Sequence, residues 1–260
     1  MNSKISEALK LKYLPVAVIH TNEKPDNAVE FIKGRRGCVP FLLKAASNGK
    51  TGVFSRETYG CIGGGTGLGF GNTYVNFPGG IKYFLSTGNK DFCQTEQGEF
   101  ISEKMPHLKD GEGYLKSPEI AEKFIEQLPV VDIPYDYVVY KPLNDVKEDE
   151  KVKLIIFLAN PDQLSALCVL ASYNRETRDN VAVYFGAGCH QTCLMPYQEC
   201  EKENPKAIIG LTDISVRKVF DKDILSFTVP YKMFLELEDN AKDSNVFLNK
   251  HEWQDILKRI

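Results

Sequence analysis

Cys189 and Cys193 stand in a Cys-x-x-x-Cys arrangement within Gly186-Ala187-Gly188-Cys189-His190-Gln191-Thr192-Cys193. The run Val181-Ala182-Val183-Tyr184-Phe185 comes just before it. Five β-formers broken by two glycines predict a buried strand, then a tight loop carrying two thiols. Cys38 lies in Gly34-Arg35-Arg36-Gly37-Cys38-Val39-Pro40, ahead of a predicted helix. Cys61 closes Arg56-Glu57-Thr58-Tyr59-Gly60-Cys61, a few residues past a predicted strand. A helix N-terminus and nearby cations lower a thiol pKa and favour the metal-binding thiolate. Four thiolates, Cys38, Cys61, Cys189 and Cys193, suit zinc or an iron–sulfur cluster.

Structural zinc usually shows two tight cysteine knuckles. Here one pair is tight, and 22 residues separate Cys38 from Cys61. A dispersed set beside glycines favours a cluster, expected as [4Fe–4S], because glycine lets backbone N–H groups approach its sulfides. Arg35, Arg36 and Arg56 offer charge to offset it. Zinc is the alternative metal. The plainer reading is a set of unrelated buried cysteines, since free cysteine is among the most buried residue types. Cys168 falls on the apolar face of a predicted helix and reads as core. Cys93 and Cys200 lie among polar residues, and either is a substitute ligand, Cys200 the better placed.

The glycines from Gly63 to Gly71 suggest a phosphate loop, but no register satisfies G-x-G-x-x-G and no Gly-Lys-Ser/Thr follows. A flavin or nucleotide phosphate stays open there, against a flexible loop wrapped around Cys61. Backbone N–H groups in such a loop can meet an anion. Arg56, Gly64, Gly65 and Thr66 are therefore the expected cofactor- or substrate-binding residues. His190, between two candidate ligands, is the expected proton donor; the plainer role is a hydrogen bond to the backbone. His20, His107 and His251 form no metalloprotease motif, and no serine nucleophile elbow appears. Asp213 and Arg217 follow a predicted strand and either line a crevice or form an ordinary ion pair.

The elements that must position these residues are legible in outline. Strands are predicted at 14–20, 51–55, 135–140, 153–158, 181–185, 207–211 and 224–229. Helices are predicted over 39–46 and 118–128, the latter with Ser117 as N-cap and Pro118 at the first position. Asn160-Pro161-Asp162 opens another, with Leu164, Leu167, Cys168 and Ala171 on its buried face. A last helix places Trp253, Ile256, Leu257 and Ile260 on one side. Asp145 to Lys151 reads as a solvated connector. The order strand, helix, strand, Gly/Cys loop recurs in both halves, which suggests two half-sheets facing each other over one crevice.

A chain of 260 residues holds a sizeable core. Its net charge of −3 offers no basic field for nucleic acid. The residues Met1 to Glu7 lack the apolar region of a signal peptide, and no apolar run is long enough to span a bilayer. Seven cysteines without a secretion signal point to a reducing cytoplasm.

The chain resembles the uncharacterised prokaryotic domain-of-unknown-function family 169. The likeness rests on Pro15-Val16-Ala17-Val18, Cys38 opening a helix, Arg56-Glu57 through Gly60-Cys61, and Asn160-Pro161-Asp162-Gln163. Gly188-Cys189 with Cys193, Asp213 to Arg217, and a strand ending at Pro230 complete it. The resemblance implies an α/β fold and no particular activity. Its members are common in anaerobes, which accords with an oxygen-sensitive cluster. The resulting expectation is one α/β domain with mixed sheets, built as two similar halves, about 1–145 and 151–260, sharing one site. The expected function is a cytoplasmic iron–sulfur protein for electron transfer or a redox step on a small molecule. The alternative is a non-redox module binding zinc or delivering metal or sulfur. The partner is a redox protein or small molecule of unknown identity, without nucleic acid or membrane, and a homo-oligomer stays open.

Overall fold

Four strands in the middle of the chain's sheet are mostly apolar and buried almost throughout: β1 (Val16–Thr21), β4 (Tyr137–Pro142), β5 (Val152–Ala159) and β8 (Leu225–Pro230). Such runs belong to a sheet covered on both faces. The computed structural model, which describes residues 1–246 and 251–260, shows this arrangement. With β2 (Val29–Glu30), β3 (Gly52–Ser55), β6 (Val181–Val183) and β7 (Ala207–Gly210), they form one eight-stranded sheet in the order β2-β3-β4-β1-β5-β8-β7-β6. The α/β class is as expected. The two facing half-sheets are not: antiparallel pairing of β1 with β5 joins both halves edge to edge. The outermost pairs, β2 with β3 and β6 with β7, are parallel, and all other pairs are antiparallel.

Side chains alternate between the two faces of a strand. Ala17, Ile19, Val139, Ile155, Phe157, Phe227 and Val229 build one core with the helices Pro161–Ser172, Tyr231–Ala241 and α1 (Lys4–Ala8). Trp253 of the last helix, His251–Leu257, joins this core. The other face carries Val18 and Tyr140, paired across β1 and β4. That face is covered by α2 (Val39–Ser47) and the helical stretch from Gly188, against which α3 (Ile62–Gly67) packs. The candidate ligands sit on this side.

Two compact units divide the chain. Met1–Leu68 with Ile133–Ile260 carries the sheet. Gly69–Asp132 is built from short helices; Asn89 caps one by accepting from Phe92 N–H, and Thr95 caps another by accepting from Gly98 N–H. The Ser117 cap is present in this second unit. The charged run at 145–151 turns the chain from β4 into β5, held by a Lys141–Glu150 ion pair of 2.8 Å.

Three local expectations need correction. Only Val181–Val183 of the five β-formers pair, and they do so at the sheet edge, with Val183, Tyr184 and Phe185 exposed. The glycines after Cys61 form α3 rather than a loop, because neighbouring groups press too closely for larger side chains. The Cys-x-x-x-Cys stretch is helical as well, with a π-turn over His190–Leu194 that continues into Met195–Tyr197. π-turns of this kind are frequent at functional sites.

The helix Pro161–Ser172 begins with a reciprocal capping box: Asn160 accepts from Gln163 N–H, and Gln163 Oε1 accepts from Asn160 N–H. Gln163 Nε2 also donates to Leu9 O at 3.0 Å, tying the end of α1 to this helix. Asn160→Ala is expected to lower stability by about 1 kcal/mol, seen as a lower denaturant midpoint with an unchanged slope. An unchanged midpoint would show that the cap adds nothing.

Candidate functional site

Three Gly-Cys steps, each at the start of a helix, meet on the covered face of the sheet. Gly37 N–H donates to Gly60 O at 3.1 Å, so the residues before Cys38 and Cys61 are bonded to each other. Gly60 has φ +86°, and a Cβ there would lie 2.9 Å from Gly37 O, so only glycine suits the junction. Cys38 is the N-cap of α2 and Cys61 the N-cap of α3; Gly64 N–H donates to Cys61 Sγ at 3.2 Å.

Cys189 arrives from the second half of the chain. Its Sγ lies 3.3 Å from Gly63 O, and a Cβ on Gly67 would sit 2.5 Å from that sulfur. Gly63 and Gly67, one helical turn apart, thus give α3 a bare strip against which Cys189 packs. The start of the Cys189 helix is fixed by Asp213, whose Oδ2 accepts from Gly188 N–H at 2.9 Å. Thr192 Oγ1 donates to Gly188 O, and Gln191 Nε2 donates to Tyr184 O, both at 2.7 Å, holding the π-turn.

The electrostatics follow from this crowding. Burial pushes the Cys38 thiol up to about 12, with the Cys61 and Asp213 charges adding to the effect and Lys218 opposing it. Burial raises Cys61, against which Gly64 and Gly63 N–H groups and the Arg36 charge act. Cys189 is raised as well, first by burial, then by the charges of Cys61, Cys38, Asp213 and Cys193. Without a cation the three thiols stay protonated. A bound metal would displace those protons, so its uptake is coupled to proton release.

The other expected residues are placed as follows. Cys193, one turn beyond Cys189, is buried; burial pushes it up to about 12, Tyr140 and Cys200 act on it, and its own charge bears on Cys189. Cys200 is half-buried, with Sγ 3.7 Å from Lys153 O. Cys168 is partly buried and packs against the main core. Cys93 belongs to the second compact unit. Gly64, Gly65 and Thr66 are buried within α3. Arg56 donates to Ile133 O at 2.8 Å and borders a hollow of about 220 Å³ with Ser55, Glu57, Asp136 and Tyr137. His190 is fully buried, its Nδ1 3.5 Å from Cys189 Sγ, and burial pushes it down to about 4. A neutral imidazole is therefore the ground state beside Cys189. Among the described residues, no three His, Cys, Asp or Glu side chains converge as ligands of a single metal ion would.

A simple signal for the converging set was present in the sequence. Of the seven cysteines only Cys38, Cys61 and Cys189 directly follow a glycine. The Gly63/Gly67 spacing was a second signal, for a bare helix face. Asp213 had no local signal beyond following a strand.

A family model described as uncharacterised ArCR, domain-of-unknown-function family 169, matches residues 4–240. No curated protein and no solved structure matches the chain. No described helix is long and apolar enough to cross a membrane.

Gly67→Ala is expected to destabilise the protein by about 1–3 kcal/mol, because the new methyl overlaps Cys189. Alkylation of Cys189 should become faster; an unchanged rate and midpoint would mean that α3 can retreat freely. His20 yields a pH prediction. It is buried against Tyr197, with ring centroids 4.9 Å apart, and burial followed by the Lys153 charge pushes it down to about 4 from 6.5. Between those values only the unfolded chain takes up this proton. Its share of stability is present above pH 6.5 and is lost as pH falls towards about 4. His20→Phe should flatten the stability–pH slope there by up to about 1.4 kcal/mol per pH unit. Identical slopes would sink the assignment.

Proposed function

The chain belongs to the uncharacterised ArCR family, domain-of-unknown-function family 169, a membership that carries no activity, and from the site we propose that it is an iron–sulfur protein. One observation carries this reading: three Gly-Cys steps, distant in sequence and each at the start of a helix, meet around Cys38, Cys61 and Cys189. The donor chemistry fits. Soft thiolates suit iron–sulfur clusters, and they surround a cluster instead of converging on one ion. Ligand sulfurs of one cluster lie roughly 6–7 Å apart, against about 3.8 Å around tetrahedral zinc.

The cluster, when bound, supplies one-electron chemistry. The chain's own groups tune it. The N–H groups of Gly63 and Gly64 face Cys61, and Arg36 and Lys218 place positive charge near Cys61 and Cys38. These groups oppose the negative charge that three thiolates bring. Cys189 is buried, whereas Cys38 and Cys61 are only half-buried, so their side of the site is the natural edge for electron exchange. His190, neutral beside Cys189, keeps positive charge away from that sulfur. A small-molecule redox step or a protein redox partner both accord with this arrangement.

Anaerobically reconstituted protein should be brown, with about four iron and four sulfide per chain. Replacing Cys38, Cys61 or Cys189 by serine should remove most of that iron, while Cys168→Ser should leave it unchanged. A colourless protein holding zinc would transfer the site to the non-redox alternative, and equal loss in all four variants would indicate general misfolding.

A further inference from the structure

Three cysteines leave one corner of a four-iron cluster without a protein thiolate, and the sheet topology indicates what stands there. Outward from the β1–β5 pair, one side runs β4, β3, β2 and the other β8, β7, β6. Pair orientations match step by step: antiparallel, antiparallel, parallel. In the first half the parallel edge strands are joined through α2, with Cys38 at its start. In the second they are joined through the helical stretch that starts at Gly188, with Cys189 in its first turn. Cys38, as the extended N-cap, and Cys189, in the first turn, thus both stand at the start of the connecting helix of their half. After β3 the chain reaches Cys61, which caps α3. After β7 it reaches Asp213, which caps the short helix Ile214–Val219 by accepting from Ser215 N–H. The counterpart of Cys61 is Asp213. Cys193, inside its helix, has no counterpart.

The contacts agree with the topology. Asp213 Oδ2 accepts from Gly188 N–H at 2.9 Å, next to Cys189. A Cβ on Gly188 would meet Val216 at 3.0 Å and Pro40 at 3.5 Å. The starts of α2, the Cys189 helix and the Asp213 helix therefore share one spot. Asp213 Oδ1 accepts from Ser215 N–H at 2.9 Å and Ser215 Oγ at 2.8 Å. A carboxylate oxygen has two acceptor sites, so Oδ2, with a single partner, keeps one lone pair for a metal. The Asp213 charge also bears on Cys38, Cys61 and Cys189 together.

We propose that Asp213 is the fourth protein ligand of the cluster, at the corner left open by Cys38, Cys61 and Cys189. The proposal rests on the iron–sulfur reading and specifies its ligand set. A carboxylate is a harder donor than a thiolate and binds iron in such a cluster less firmly. That corner is then where an added small thiol displaces the protein.

The test compares anaerobically reconstituted full-length wild type with Asp213→Cys, Asp213→Asn and Cys193→Ala, by iron and sulfide content and by electron paramagnetic resonance of the reduced cluster. Apo-protein melting monitors the fold. In wild type, added 2-mercaptoethanol should change the spectrum. Asp213→Cys should keep full iron content, show a different spectrum and ignore the thiol. Asp213→Asn keeps a side-chain oxygen for Gly188 N–H but lacks the anionic ligand, and should lose at least one iron per cluster on mild oxidation. Cys193→Ala should match wild type. An unchanged spectrum and iron content in Asp213→Asn would overturn the proposal and leave Asp213 as a positioning residue for the Cys189 turn. Loss of the cluster in Cys193→Ala, with Asp213→Asn intact, would also overturn it. Wild-type protein that takes up no iron would overturn the iron–sulfur reading itself, and the ligand assignment with it.

Discussion

Backbone pairing between β1 and β5 is the constraint on which the site depends. Val16 faces Ile156, Ala17 faces Ile155 and Val18 faces Leu154, antiparallel, in the middle of the sheet. This register joins the strands that deliver Cys38 and Cys61 to those that deliver Cys189 and Asp213. It also decides which face each group reaches. A one-residue slip would turn every side chain of one half to the opposite face. Because β1 and β5 are apolar on both faces, the register is held by shape: Ala17, Ile155 and Phe157 must match the helices packed on them.

Close approach at glycine then does what side chains cannot. Gly60 and Gly67 have no room for a methyl group, at Gly37 O and at Cys189 Sγ respectively. The glycines weaken α3 as an isolated helix, since each loses more backbone freedom on folding than alanine would. Its place is held by the Cys61 cap and by contact with the Cys189 helix. Local helix propensity has given way to tertiary packing, and the packing brings sulfur atoms together.

That packing has an electrostatic consequence. Burial first, and the nearby Asp213 charge after it, raise the proton affinity of the three thiols, while the positive groups nearby, Arg36 and Lys218, are exposed and screened. The apo protein resolves the conflict by keeping the thiols neutral. A cationic cluster core would resolve it in the opposite sense, by holding them as thiolates. Under the proposed reading, proton affinity and metal affinity are linked at this site.

Much of the framework was determined locally. The strands β1, β3, β4, β5, β7 and β8 follow from short apolar runs, and the helix starts at Ser117 and Asn160 follow from capping chemistry that acts over three residues. The candidate thiols were visible as residue types. Their grouping was not. Cys189 and Cys193 lie one turn apart on the same helical stretch; Cys189 Sγ packs against α3, and Cys193 has Tyr140 as a neighbour. Cys189 and Cys61 are far apart in sequence, yet the sheet brings their turns together. The glycines read as a loop because propensity is a property of a residue and its near neighbours, whereas α3 is stabilised by atoms of a distant segment. Residue chemistry and short-range capping were therefore settled by the sequence alone. Which thiols share a site was decided only when the central strands paired, because register and facing are long-range properties that no local window contains.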